Sequence, residues 1–77
     1  MNATLTRLLD LAAQTYGKDA ASLSAGDDFF EALGIDSMQA MELLTELEDS
    51  FSVEIPDYEL ADVRTFEGLA EVIGRRL

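Results

Sequence analysis

The sequence predicts an all-α domain of three principal helices and one short one, packed as a small bundle with a long first loop. Three observations carry this reading. Apolar residues recur at three- and four-residue spacing in three separate segments. Turn-forming residues crowd the stretch 17–36, between the first segment and the second. The one alternating apolar pair, Val53 and Ile55, is too short to support a sheet by itself. With 77 residues the whole chain, 1–77, is one domain. Folding at this size buries only about 60% of the chain's surface, which leaves little room for an enclosed active site.

The first helix is expected over 3–16, where Leu5, Leu8, Leu9, Ala12 and Tyr16 form one apolar stripe. Gly17 follows, where a left-handed residue would end it. In the connection 17–36, Gly17, Ser22, Ser24, Gly26, Asp27 and Gly34 supply turn chemistry. Leu23, Phe29, Phe30, Leu33 and Ile35 need burial, so this loop should wrap over the helices, with a short helical turn across Asp28–Leu33. The central helix is expected over 37–51. Ala40, Leu43, Leu44, Leu47 and Phe51 make its core stripe, and Glu42, Glu46 and Asp49 gather opposite. Met38 falls near that acidic side, and Met41 lies on the flank. Pro56 suits the first turn of a short helix over about Asp57–Ala61, with Leu60 and Val63 as its buried contacts. Thr65 caps the last helix, 66–76, whose stripe is Phe66, Leu69, Ala70 and Ile73. Arg75 and Arg76 stand at its end, where cations complement the helix dipole.

Composition removes several function classes. There is no cysteine, hence no disulfide framework or thiolate metal site, and no histidine, the commonest general base. The net charge is −11, and from Asp27 to Asp62 there are twelve acids and no Lys or Arg. Binding to nucleic acid through a basic surface is excluded, docking on anionic lipid is disfavoured, and partners of the central region should be basic. An EF-hand is not expected, because Asp27-Asp28-Phe29-Phe30-Glu31 lacks the alternating oxygen ligands and central glycine of such a loop. The start of the chain lacks the form of an export signal, and no apolar run approaches a membrane-spanning length. A cytoplasmic monomer is the expectation. Met1 and the lack of linker composition at either end favour a freestanding chain over an excised one.

One serine stands out. Asp36 and Ser37 are both good N-caps, and the pair by itself could be no more than a helix start. Asp36 suffices for that task, which leaves the Ser37 hydroxyl free. A helix start suits a phosphate, because unpaired N–H groups and the positive end of the dipole stabilise an anion. Met38 and the acids of the next turns add a mixed apolar and acidic surface beside it. These features point to a modified serine on a docking surface without identifying the modification.

The run Asp28-Phe29-Phe30-Glu31-Ala32-Leu33-Gly34-Ile35-Asp36-Ser37-Met38-Gln39-Ala40-Met41-Glu42-Leu43 resembles the attachment motif of the acyl carrier protein family. That pattern is an aromatic, Leu-Gly, one or two residues, Asp-Ser-Leu or Asp-Ser-Met, and Glu-Leu five residues after the serine. The likeness continues through Leu47-Glu48-Asp49-Ser50-Phe51, Val53-Glu54-Ile55-Pro56 and Thr65-Phe66, covering essentially the whole chain.

The resemblance implies a four-helix carrier with a 4′-phosphopantetheine arm on Ser37 and cargo held as a thioester. It also implies that a phosphopantetheinyl transferase installs the arm from coenzyme A, and that the chain itself is no enzyme. By the same resemblance Asp36 helps the transferase position metal and serine. Met38, Met41, Glu42, Glu46, Glu48 and Asp49 would meet basic patches on the transferase and on loading and downstream enzymes. Met41, Leu44, Phe51, Ile55 and Leu60 are mostly core, some of them lining a cleft for cargo. Many fatty-acid carriers have an apolar residue eight positions after the serine, where this chain has Thr45. Peptidyl carriers often have two glycines before Asp-Ser, where this chain has Gly34-Ile35. The expectation is therefore an acyl carrier of polyketide, fatty-acid-like or other specialised biosynthesis. An aminoacyl or peptidyl carrier and an unmodified acidic helical adaptor for a basic partner are the alternatives.

Overall fold

Helix α1 runs Ala3–Tyr16 and ends on Gly17, whose φ of 66° is the left-handed value anticipated for it. The computed structural model describes residues 3–77, so Met1 lies outside the described residues. A 3₁₀ turn over Ala20–Ser22, capped by the Asp19 carboxylate, breaks the long connection. Helix α2, Phe29–Leu33, is the short turn expected in that loop. Asp28 caps it by accepting from the N–H groups of Phe30 and Glu31, and Gly34 closes it at φ 67°. Helix α3 spans Ser37–Phe51 and α4 spans Phe66–Gly74, with Thr65 capping through the Gly68 N–H. The fold is thus all-α, with three long helices and a short one, and its only strand-like pairing among the described residues is the bridge Asp28–Thr65.

Two boundaries, and some of the expected burial, differ from the sequence reading. The expected helix at Asp57–Ala61 is a single 3₁₀ turn over Asp57–Glu59, closed by Leu60 N–H donating to the Asp57 carbonyl. Leu60 and Val63 are half-buried there, not fully covered, because so short a turn has no second face to press inward. Helix α4 stops at Gly74 instead of residue 76: the Arg76 N–H reaches only to Ile73, a tighter i→i−3 bond that ends the α-helical ladder. On α3, Leu43, Leu47 and Phe51 are buried as expected, whereas Ala40 and Leu44 remain partly open.

Helix α1 packs chiefly along α4 and also meets α3. Leu8, Leu43, Leu47, Phe66 and Ile73 lie at the centre of the core, and the loop residues Leu23, Phe29, Leu33 and Ile35 are buried against them. That burial explains why so long a connection holds a fixed course. Arg64 clamps it from outside, donating to Asp28 at 2.9 Å while its guanidinium lies 4.8 Å from the Phe30 ring centre. Helix α3 ends with Ser52 in the left-handed region, φ 57°. The chain then passes Val53 and Ile55, both buried.

Candidate functional site

Ser37 is the first residue of α3 and is exposed. Asp36 supplies the cap alone: its carboxylate accepts from the Gln39 N–H at 2.9 Å, and the Gln39 side-chain oxygen accepts from the Asp36 N–H at 3.2 Å. This reciprocal box leaves Ser37 Oγ without a hydrogen-bond partner among the described residues. The redundancy read from Asp36-Ser37 is therefore real. Gln39 went unremarked in that reading, although Asp-x-x-Gln ahead of an apolar run is the signal of such a box. Gly34 and the buried Ile35 deliver the chain to this point, the glycine through its positive φ.

Ser37 also stands at the edge of an apolar groove of about 350 Å³. Ala40, Met41 and Leu44 form the α3 wall, Phe29 and Phe30 one end, and Leu60, Ala61 and Val63 the opposite lip. Asp57 is the only charged lining residue among the described residues. The partly open Ala40 and Leu44 of α3 and Leu60 and Val63 of the 57–63 segment all line it, so their exposure belongs to one feature. Phe51 and Ile55 are core and do not reach the groove, whereas Leu44, Leu60 and Met41 do.

The outward side of α3 carries Met38, 73% exposed, with Glu42 and Asp49 on the same side. Met41, 59% exposed, lies between this side and the groove. Among the described residues neither Glu42 nor Asp49 forms an ion pair, because the arginines are engaged elsewhere. Arg7 donates to the Ser50 carbonyl and hydroxyl and stacks 4.4 Å from the Phe51 ring centre. Arg75 pairs with Glu71, and Arg76 with Glu59. Glu46 accepts from the Thr15 hydroxyl at 2.9 Å. Glu48 is placed differently: it is half-buried, and its carboxylate accepts from the Ile55 N–H at 2.9 Å, fixing the chain after α3.

Tyr16 approaches α3 from the end of α1, its hydroxyl donating to the Gln39 carbonyl at 2.9 Å. Burial, and then the negative charges of Glu42, Glu46 and Asp36, push the phenol above its usual value, so it stays a donor at neutral pH. This contact joins residues 23 positions apart and has no local sequence signal.

A free hydroxyl at a helix start, an apolar groove beside it and, among the described residues, Glu42 and Asp49 outside any ion pair are features that suit a carrier, a protein that presents a covalently held group to others. The comparisons agree. The family model described as "Phosphopantetheine attachment site" matches residues 6–73, and the chain belongs to that family. The anthracycline acyl carrier protein DpsG of Streptomyces peucetius is 33% identical over 76 residues, spanning 96% of this chain and 90% of the relative. The anthracycline acyl carrier protein DauA of Streptomyces sp. (strain C5) is 32% identical over the same shares. The acyl carrier protein of Syntrophobacter fumaroxidans is 29% identical over 69 residues, 90% of this chain and 85% of the relative. The chain is a phosphopantetheine-carrying acyl carrier protein and a carrier, not a catalyst. These relatives favour the acyl reading over the aminoacyl and adaptor alternatives. No helix among the described residues is long and apolar enough to cross a membrane, and no acidic cluster among them has the makings of a metal site.

Proposed function

We propose that Ser37 is the residue that bears the 4′-phosphopantetheine arm, in a pathway of the aromatic polyketide kind. The observation that carries the assignment is the Ser37 hydroxyl at the head of α3, without a partner among the described residues and opening onto the apolar groove. Asp36 leaves the hydroxyl free by taking over the cap, and the α3 N-terminus offers N–H groups and a favourable dipole to the phosphodiester. In the transfer, Ser37 Oγ forms a bond to the pantetheine-side phosphorus of coenzyme A. The pyrophosphate bond to the adenosine bisphosphate breaks, and the hydroxyl proton passes to a base on the phosphopantetheinyl transferase. When bound, the arm supplies a thiol that holds the acyl cargo as a thioester. The groove walls Ala40, Leu44, Leu60 and Val63 then offer an apolar chain partial cover from water.

Docking falls to the outward side of α3. Met38 and Met41 provide adaptable apolar contact, and Glu42, Glu46 and Asp49 attract basic patches on the transferase and on loading and downstream enzymes. Glu48, half-buried and engaged with the Ile55 N–H, stands apart from this side and holds the chain after α3. Asp36, next to the serine, is the residue that by family resemblance would help the transferase position its metal and Ser37. The polyketide assignment rests on the two anthracycline carriers among the relatives. The working form is a cytoplasmic monomer.

The test is direct. Incubated with coenzyme A, Mg²⁺ and a promiscuous transferase, the wild-type chain should gain the mass of one phosphopantetheine by intact mass spectrometry. Ser37→Ala should gain none. A modified Ser37→Ala chain would move the attachment to another residue and overturn the assignment.

A further inference from the structure

The first turn of α3 is held from behind as well as capped. The Tyr16 hydroxyl, at the end of α1, donates to the Gln39 carbonyl, and Gln39 is bonded to Asp36 in both directions. Asp36, Gln39 and Tyr16 therefore form one connected network around the turn whose first residue is Ser37. We infer that Tyr16 is a positioning residue for phosphopantetheinyl transfer: through Gln39 and Asp36 it fixes the turn that presents Ser37 Oγ to the transferase. This rests on Ser37 as the attachment residue.

The physical case starts from the weakness of helix ends. The opening residues of a helix make few internal hydrogen bonds, so an exposed first turn frays. A frayed turn lets Ser37 Oγ wander, and nucleophilic attack tolerates little misplacement. The capping box restrains the turn locally, but all of its atoms belong to the same exposed segment. Tyr16 provides a restraint from elsewhere. Its ring is half-buried against the core, and its hydroxyl reaches a backbone atom of the third residue of α3. The phenol remains protonated under the negative potential of Glu42, Glu46 and Asp36, so the bond persists at neutral pH. Tyr16 meets α3 on the side of Gln39 and Glu46, whereas Met38 and Asp49 project from another side of the helix. Removing the hydroxyl should therefore disturb the placement of Ser37 and leave the outward docking surface intact.

A general stabilising role is separable from a positioning one, because the structure holds a matched control. The adjacent residue, Thr15, makes its own α1–α3 hydrogen bond to Glu46, two turns further along α3. Loading kinetics with coenzyme A and a promiscuous transferase should be compared for wild type, Tyr16→Phe, Gln39→Ala and Thr15→Val. The temperature is chosen so that circular dichroism shows each chain folded. Tyr16→Phe should lower kcat on the order of tenfold with KM for the carrier unchanged. Gln39→Ala should lower kcat in the same way, whereas Thr15→Val, which releases only the docking residue Glu46, should leave kcat as it is. Wild-type kcat in Tyr16→Phe, an effect on KM alone, or an equal loss in Thr15→Val would overturn the inference. If Tyr16→Phe does not fold, Gln39→Ala decides, and wild-type kcat there would overturn it as well. Failure of the wild type to load would instead refute Ser37 as the attachment residue, so the two readings fail separately.

Discussion

Asp28 and Asp36 are both N-caps, and the residue that follows each decides what the cap is for. Asp28 precedes Phe29, which is buried, so its work ends with holding α2 and receiving Arg64. Asp36 precedes an exposed serine and frees it. The Asp28 carboxyl is pushed upward by partial desolvation, but the hydrogen bond from Arg64 and those from the Glu31 and Phe30 N–H groups outweigh this and leave it below its usual value. A carboxyl depressed in the folded state stabilises that state above the ordinary carboxylate range and ceases to do so as pH falls through its folded value. Asp28→Asn keeps a capping oxygen and loses the charge, so it should melt below wild type at neutral pH. The gap should close as pH falls from the ordinary carboxylate range through the lower folded value, in thermal melts followed by circular dichroism. A gap that stays constant would assign the loss to packing and not to the Arg64 pair.

Helix α3 works as a three-sided element. Leu43, Leu47 and Phe51 face the core; Ala40, Met41 and Leu44 face the groove; Met38, Glu42 and Asp49 face outward. The wheel projection separates the acidic side correctly and merges the other two, since periodicity gives direction and not cover. What covers α3 on the groove side is the 57–63 segment, whose path is set by Pro56 and by the ion pair of Glu59 with Arg76, a contact between distant residues. For the same reason Asp36-Ser37 was legible as a cap with a spare hydroxyl, while the Tyr16–Gln39 and Arg7–Ser50 contacts were not. Local motifs are written in consecutive residues, and tertiary hydrogen bonds are not. The outward side carries its own prediction. Glu42→Lys combined with Asp49→Lys should slow loading by the transferase severalfold near 20 mM salt and much less near 0.5 M, where the Debye length shrinks to about 4 Å. Equal slowing at both salt concentrations would count against electrostatic steering.

At the scale of the whole molecule, a net charge of −11 is spread over 77 residues, and the four arginines are spent on internal contacts. Like charges crowd each other most in the compact state, so the fold works against its own field. Raising NaCl from about 20 mM to about 0.5 M should therefore raise Tm by several degrees in calorimetry. A fall in Tm would mean that the three arginine–carboxylate pairs outweigh the repulsion. The groove has an energetic consequence for traffic. Each methylene fully withdrawn from apolar cover into water costs about 0.8 kcal/mol, so a sheltered four-carbon chain resists extraction by at most about 3 kcal/mol. Unaided, that slows its escape by at most about two orders of magnitude. A receiving enzyme that offers a deeper tunnel removes the obstacle, whereas bulk water does not. If the trough beside Ser37 shelters cargo as proposed, it would act as a latch that opens preferentially to the enzyme able to take the chain.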